Sequence, residues 1–197
     1  MIFTLIGMPG SGKSVMAKTV ASKLKIRHMD GDRLIERTTG RKLQTIINED
    51  GVDAFKKIEH DVLLSFESDA DLVFSTGGSA VYYDDVMRHL ASRGPIIYLY
   101  VGLPELLSRL GDFSKRGIVL KPGQTIGDLF RERAGLYEKY ADAKVNCNGA
   151  AYPRYQREVI RVIERYRPRQ SAVPAGTPPV GNKKPAPAGK NGKPEPQ

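Results

Sequence analysis

The sequence predicts an α/β fold in which a five-stranded parallel sheet lies between layers of helices. Short apolar runs alternate with segments of helical periodicity, the pattern of β-α units. The first run, Ile2 to Ile6, is apolar enough to be buried on both faces and passes directly into the glycine-rich stretch GMPGSGKS. In chain order, Ile2 to Ile6 is the first strand, and the segment after Lys13 places Met16, Val20 and Leu24 on one helical face. The stretch IRHMD is a second short strand, and Phe55, Ile58, Val62, Leu63 and Phe66 recur at helical spacing between Val52 and Ser68. DLVFST is a third strand that ends in the loop Gly77, Gly78, Ser79. A helix from Asp84 to Arg93 is stopped by Gly94 and Pro95, IIYLYV is the fourth strand, and Pro104 suits the opening residue of the next helix. Residues 111–124, GDFSKRGIVLKPGQ, have no period and read as a mobile lid loop. A helix from about Ile126 to Tyr140, a weak strand near Lys144 to Asn146 and a last amphipathic helix carrying Tyr155, Val159, Val162 and Tyr166 complete the domain.

Bulk composition narrows the class. The chain has 197 residues, 40% of them apolar, enough for one domain (residues 1–167) plus an appendage. The tail, residues 168–197, holds eight of the thirteen prolines and +4 of the net charge of +9, and reads as disordered. The remaining excess suits a protein that handles anions, and without interleaved aromatics it indicates no specific nucleic-acid partner. One cysteine, Cys147, excludes an intrachain disulfide and reads as a small packing residue, while the apolar run at the start is too short for a secretory signal or a membrane span. The expectation is a cytoplasmic protein, monomer or weak dimer, with no membrane contact.

GMPGSGKS fits the phosphate-binding pattern G-x-x-x-x-G-K-[ST], and its place between a strand and a helix is the context that pattern requires. Glycines let the backbone curl with its N–H groups turned inward, and the following helix adds its positive N-terminal end. Gly10, Ser11, Gly12, Lys13, Ser14 and Val15 would then surround the phosphates of ATP, with Lys13 on the β- and γ-phosphates and the Ser14 hydroxyl on Mg2+. A GTPase is excluded by the lack of an Asn-Lys-x-Asp motif. Asp30 and Asp32, in HMDGD, would face the same way if both lay at the end of the second strand. One carboxylate would help organise hydrated Mg2+ and the other would orient an acceptor hydroxyl for in-line attack.

These segments together resemble the shikimate kinase family, within the nucleoside-monophosphate-kinase-like branch of P-loop proteins. The likeness runs from residue 1 to about residue 165: DGDRLIERTTGR is similar to D-x-D-x-x-I-E-x-x-x-G, FKKIEHDV to F-R-x-I-E, STGGSAV to T-G-G-G-x-V, KRGIVL to R-P-L-L and RAGLYEKYAD to R-x-P-L-Y-x-x-x-A-D. The resemblance implies phosphorylation of a hydroxyl on a small carboxylate-bearing acid, with shikimate as the leading acceptor. It implies that Asp32 holds the attacking hydroxyl, Asp30 lies on the magnesium side, and Gly77, Gly78 and Ser79 approach the acceptor. Arg133 would bind the acceptor carboxylate, and Arg109 and Arg116 the ATP phosphates. Lys56 stands where the family has an arginine that binds the same carboxylate, Ser79 replaces a glycine, and Gly135 replaces a proline. Another small hydroxy acid therefore stays open as the acceptor, as does a non-catalytic ATP-binding protein. Glu59 could brace Lys56, touch substrate or form a surface ion pair, Tyr82 and Tyr83 could line the acceptor pocket although core packing is the favoured reading, and His28, His60 and His89 have no catalytic pattern.

Overall fold

A computed structural model describes residues 1–110, 120–149 and 151–167. Its sheet holds β1 (Ile2–Ile6), β2 (Arg27–Asp30), β3 (Leu72–Ser75), β4 (Ile96–Tyr100) and β5 (Ala143–Asn146), all parallel, in the order β2-β3-β1-β4-β5. The helices are α1 (Lys13–Leu24), α2 (Gly31–Thr39), α3 (Leu43–Leu64), α4 (Asp84–Arg93), α5 (Leu103–Leu110), α6 (Ile126–Tyr140) and α7 (Tyr152–Tyr166), with a 3-10 turn at Ala80–Tyr82. Every residue of β1 and β3 is buried, as covered parallel strands require, whereas the edge strands β2 and β5 keep exposed positions. Helix α1 packs on β2 and β3 and against α7, while α4 packs on β1 and against α3.

The strand order places the site. From β1 the chain crosses over to β2, returns to β3 at the side of β1, and then passes to β4 on the other side. Connections leaving β1 and its neighbours therefore diverge at their carboxyl ends and open a crevice there, the ligand-binding position of open α/β sheets. The glycine-rich loop leaves β1 at that point.

Two expectations change. The helix read from Val52 to Ser68 is the second half of α3, which begins at Leu43 and ends at Leu64, with a non-helical break at Gly51 (φ 86°, ψ 169°). Phe66, beyond that end, is nonetheless buried and stacks on Phe74 with ring centroids 4.3 Å apart. Asp30 and Asp32 do not share a strand: β2 stops at Asp30, which caps α2, and Asp32 lies in that helix's first turn. The Asp30 carboxylate accepts from the Arg33 amide at 3.4 Å, so local side-chain capping ends the strand sooner than alternation suggests. The expected lid core, including Arg116, and the proline-rich tail lie outside the described residues.

Candidate active site

The glycine-rich loop is shaped by dihedrals that side chains resist. Gly10 and Gly12 have φ of +83° and +92°, in the left-handed region. At Gly10 a Cβ would also stand 2.7 Å from Leu110 Cδ2, so α5 packs against the loop as closely as glycine allows. Ser11 is buried, and its Oγ has no protein partner among the described residues. Lys13 opens α1 at only 8% exposure and donates from Nζ to the carbonyls of Gly7 (2.8 Å) and Met8 (3.0 Å). Burial depresses its pKa to about 8, opposed by the charge of Asp32 and assisted by that of Arg133. A buried ammonium, an unpartnered buried hydroxyl and glycine-only turns at a helix start make a fit for phosphate oxygens.

Opposite the loop, α2 presents Asp32. Its side chain opens on the cleft, but the walls around it withdraw enough water to raise its pKa, and the nearby charge of Asp30 adds to the rise. Asp30 is braced by the Ser75 hydroxyl, which donates to it at 2.8 Å across the β2-β3 register. Glu59, from α3, is almost wholly buried at 1% exposure and accepts from Ser79 Oγ at 2.7 and 2.8 Å and from Tyr83 at 3.0 Å. Burial raises its pKa, and those two hydroxyls oppose the rise. The Lys56 ammonium takes no part in that cluster, although the residue's carbonyl lies 3.2 Å from the Tyr83 hydroxyl: the ammonium sits at the exposed rim and pairs with Asp53 at 3.0 Å.

Between the two walls runs the loop after β3. A Cβ on Gly77 would fall 2.7 Å from Glu59 Oε1 and 3.5 Å from Asp32 Oδ1, and one on Gly78 would fall 2.9 Å from Arg133 Nη1 and from Pro9 Cδ. Arg133 is 6% exposed. It is held by α6, whose start is fixed by a capping box between Thr125 and Asp128. One turn after Arg133, Tyr137 stacks on Tyr98 at 5.1 Å and donates to the Gly78 carbonyl at 2.8 Å, tying α6 to both the sheet and the loop. Gly78→Ala is expected to displace the Arg133 guanidinium, because the proline ring on the other side cannot yield. Acceptor KM should rise about tenfold or more with ATP KM little changed; an unchanged acceptor KM in steady-state kinetics would contradict this.

One cleft of about 870 Å³ joins these parts. Of the residues singled out from the sequence, Gly10, Gly12, Lys13, Ser14 and Val15 line its phosphate side. Asp30, Asp32, Lys56, Gly77, Gly78, Ser79 and Arg133 line the rest, while Ser11 is buried beside the loop. Arg109 is not part of that lining; from α5, the helix packed behind the loop, it donates to Glu105 Oε1 (2.7 Å) on the same helix and to the Cys147 carbonyl (2.7 Å) just past β5. Tyr82 and Tyr83 take the less favoured of the two places the sequence allows them and line the cleft rather than the core, with Tyr82 41% exposed. Glu59 was ambiguous in the sequence because a helical i+3 spacing from Lys56 suits an ion pair as well as a buried acid.

Residues 9–164 match the family model for shikimate kinase. The chain belongs to the shikimate kinase family. A shikimate kinase of Francisella philomiragia is 34% identical over 151 residues, spanning 74% of this chain and 85% of that protein. One from a Sulfurihydrogenibium species is 30% identical over 161 residues, spanning 82% of this chain and 96% of the relative. Among solved structures, a shikimate kinase from Acinetobacter baumannii in complex with shikimate superposes with a TM-score of 0.72 at 28% identity, covering 83% of this chain and 93% of that one. Membership of the shikimate kinase family makes the chain a phosphotransferase that acts on a hydroxyl group. Lys56, exposed at the rim, and Ser79, whose hydroxyl is turned onto Glu59, both line the cleft.

Proposed function

We propose that this chain transfers the γ-phosphoryl group of ATP to a hydroxyl of shikimate, giving shikimate 3-phosphate. The observation that carries this reading is the juxtaposition on two successive glycines: Asp32 and Glu59 stand against Gly77, and the Arg133 guanidinium stands against Gly78. A base and a carboxylate-binding fork set against neighbouring glycines of one cleft match a small hydroxylated acid, with its hydroxyl directed at Asp32 and its carboxylate at Arg133. Lys13 and the amides of Gly10 to Val15 would neutralise charge on the phosphates. Mg2+ would be held by the Ser14 hydroxyl and by Asp30, hard oxygen donors suited to it, and would offset negative charge on the phosphate oxygens. Arg116 and Arg109 would supply further positive charge, from the lid and from the base side. Rate enhancement then rests on positioning and charge neutralisation rather than covalent chemistry.

No helix among the described residues is long and apolar enough to cross a membrane. A cytoplasmic monomer or weak dimer fits this reading, and size-exclusion chromatography at assay concentration tests the oligomeric part. Lys56 favours a second reading, a different small hydroxy acid, since a lysine on the rim cannot fork a carboxylate as arginine does. Coupled ADP release over shikimate, other hydroxy acids and nucleoside monophosphates separates the readings: shikimate should give the highest kcat/KM, and turnover with another acid alone would move the acceptor assignment to that acid.

The titrations give a sign to the pH profile. Asp32 must be ionised to accept a proton, and its raised pKa places the acid limb of kcat/KM above the ordinary aspartate range. Lys13 must be protonated, and with its pKa lowered to about 8, kcat/KM for ATP should fall as pH rises through that value. In kcat the same limb should move upward, because bound phosphate stabilises the ammonium. A kcat/KM for ATP that is flat to pH 9.5, roughly one and a half units above Lys13, would contradict this.

A further inference from the structure

Tyr82 is large, aromatic and 41% exposed, so burial does not explain its place at the end of the 3-10 turn. Its hydroxyl is fully engaged. It accepts from Arg133 Nε at 3.1 Å and donates its single proton to Glu132 Oε1 at 2.8 Å. The guanidinium carbon of Arg133 also lies 5.0 Å from the centroid of the Tyr82 ring, a cation-π distance. Glu132 is itself fixed, accepting from Gln124 Nε2 at 2.7 Å and from Lys121 Nζ at 3.4 Å. These hydrogen bonds, that from Tyr82 foremost, hold its carboxyl below the usual glutamate range, so it is ionised at neutral pH. The chain Arg133 to Tyr82 to Glu132 is thus polarised in one direction.

Geometry then assigns the remaining donors. With Nε committed to Tyr82 and the Tyr137 hydroxyl also against the guanidinium, the terminal nitrogens of Arg133 are the ones that can meet a ligand, and Nη1 is the atom that lies beside Gly78 in the cleft. A guanidinium reads a carboxylate as a planar fork, so the angle of its plane decides whether two bonds form or one. We propose that Tyr82 is a positioning residue for acceptor recognition: its hydroxyl and ring together set the plane of the Arg133 guanidinium, and Glu132 anchors that hydroxyl. The proposal rests on the reading of Arg133 as the carboxylate-binding group and gives a role to a tyrosine for which the sequence favours core packing.

Tyr82→Phe tests it, since the ring stays and only the hydroxyl is lost. Wild-type turnover of shikimate is measured first, and its absence overturns the functional reading together with this one. Given wild-type turnover, Tyr82→Phe should raise the KM for shikimate about tenfold while ATP KM and melting temperature stay unchanged. The carboxamide analogue of shikimate, which lacks the charge, should lose no more than about twofold, within the error expected of uncoupled changes. In an Arg133→Lys background, which has no Nε, Tyr82→Phe should have no further effect on acceptor KM. An unchanged shikimate KM, an equal penalty on the carboxamide, or full additivity with Arg133→Lys would each overturn the positioning role while leaving the kinase assignment intact.

Discussion

Asp32→Asn is expected to lower kcat by about 10²- to 10⁴-fold, the range for loss of a positioned general base, with acceptor KM changed far less. The amide keeps the shape of the side chain and its place in the first turn of α2, but it cannot take the hydroxyl proton. Stability gives an independent reading of the same variant. Burial raises the folded-state pKa of Asp32, so the ionised form is disfavoured by folding and weakens the fold at pH values above that pKa. A neutral amide removes this penalty, and the melting temperature at pH 7 should stay level or rise. Loss of turnover without loss of stability marks a residue kept for chemistry. A kcat within about threefold of wild type would place the base elsewhere and leave Asp32 as a helix-terminal charge.

Lys13→Ala is expected to reduce kcat/KM for ATP by about 10³-fold, the upper end of what one charge-stabilising donor supplies in a water-poor site. The ammonium is 8% exposed and lies within 3.0 Å of two loop carbonyls, so the charge is held where phosphate oxygens are to be met. Lys13→Arg should not restore activity, because a planar guanidinium is too wide for a pocket that grips a compact ammonium. Nucleotide titration with a fluorescent ATP analogue checks both variants: each should lose affinity by at least tenfold, about one hydrogen bond to a charged group. Unaltered nucleotide affinity in Lys13→Ala would detach the glycine-rich loop from phosphate binding.

The parts of this site that could be read from the sequence are those built by local chemistry. The strand before the glycine-rich loop, the loop itself and Lys13 follow one another without a gap, and φ values of +83° and +92° at Gly10 and Gly12 show why glycine occurs there. Helix α6 falls where the sequence places it, about Ile126 to Tyr140, and the structure shows its start fixed by the capping pair Thr125 and Asp128. Helix α2 was not legible: it starts at Gly31 directly after β2 with no connecting turn to mark the change, so Asp32 was assigned to the wrong element. For Tyr82 and Tyr83 the sequence favours core packing over a place in the pocket, because large aromatic side chains are usually buried. Their hydroxyls instead meet Glu132, Arg133 and Glu59, which come from α6 and α3 and are brought alongside only by the tertiary fold. The same holds for Glu59 itself, whose partner Ser79 lies twenty residues on rather than one turn away.

The hydroxyl-directed transfer proposed for this cleft is tested most directly by following the label of [γ-32P]ATP in the presence of Mg2+ and shikimate. Expected is label on the shikimate 3-hydroxyl in one-to-one ratio with ADP formed, abolished in Asp32→Asn. Label recovered only as inorganic phosphate, or ADP formed at the same rate without shikimate, would contradict it.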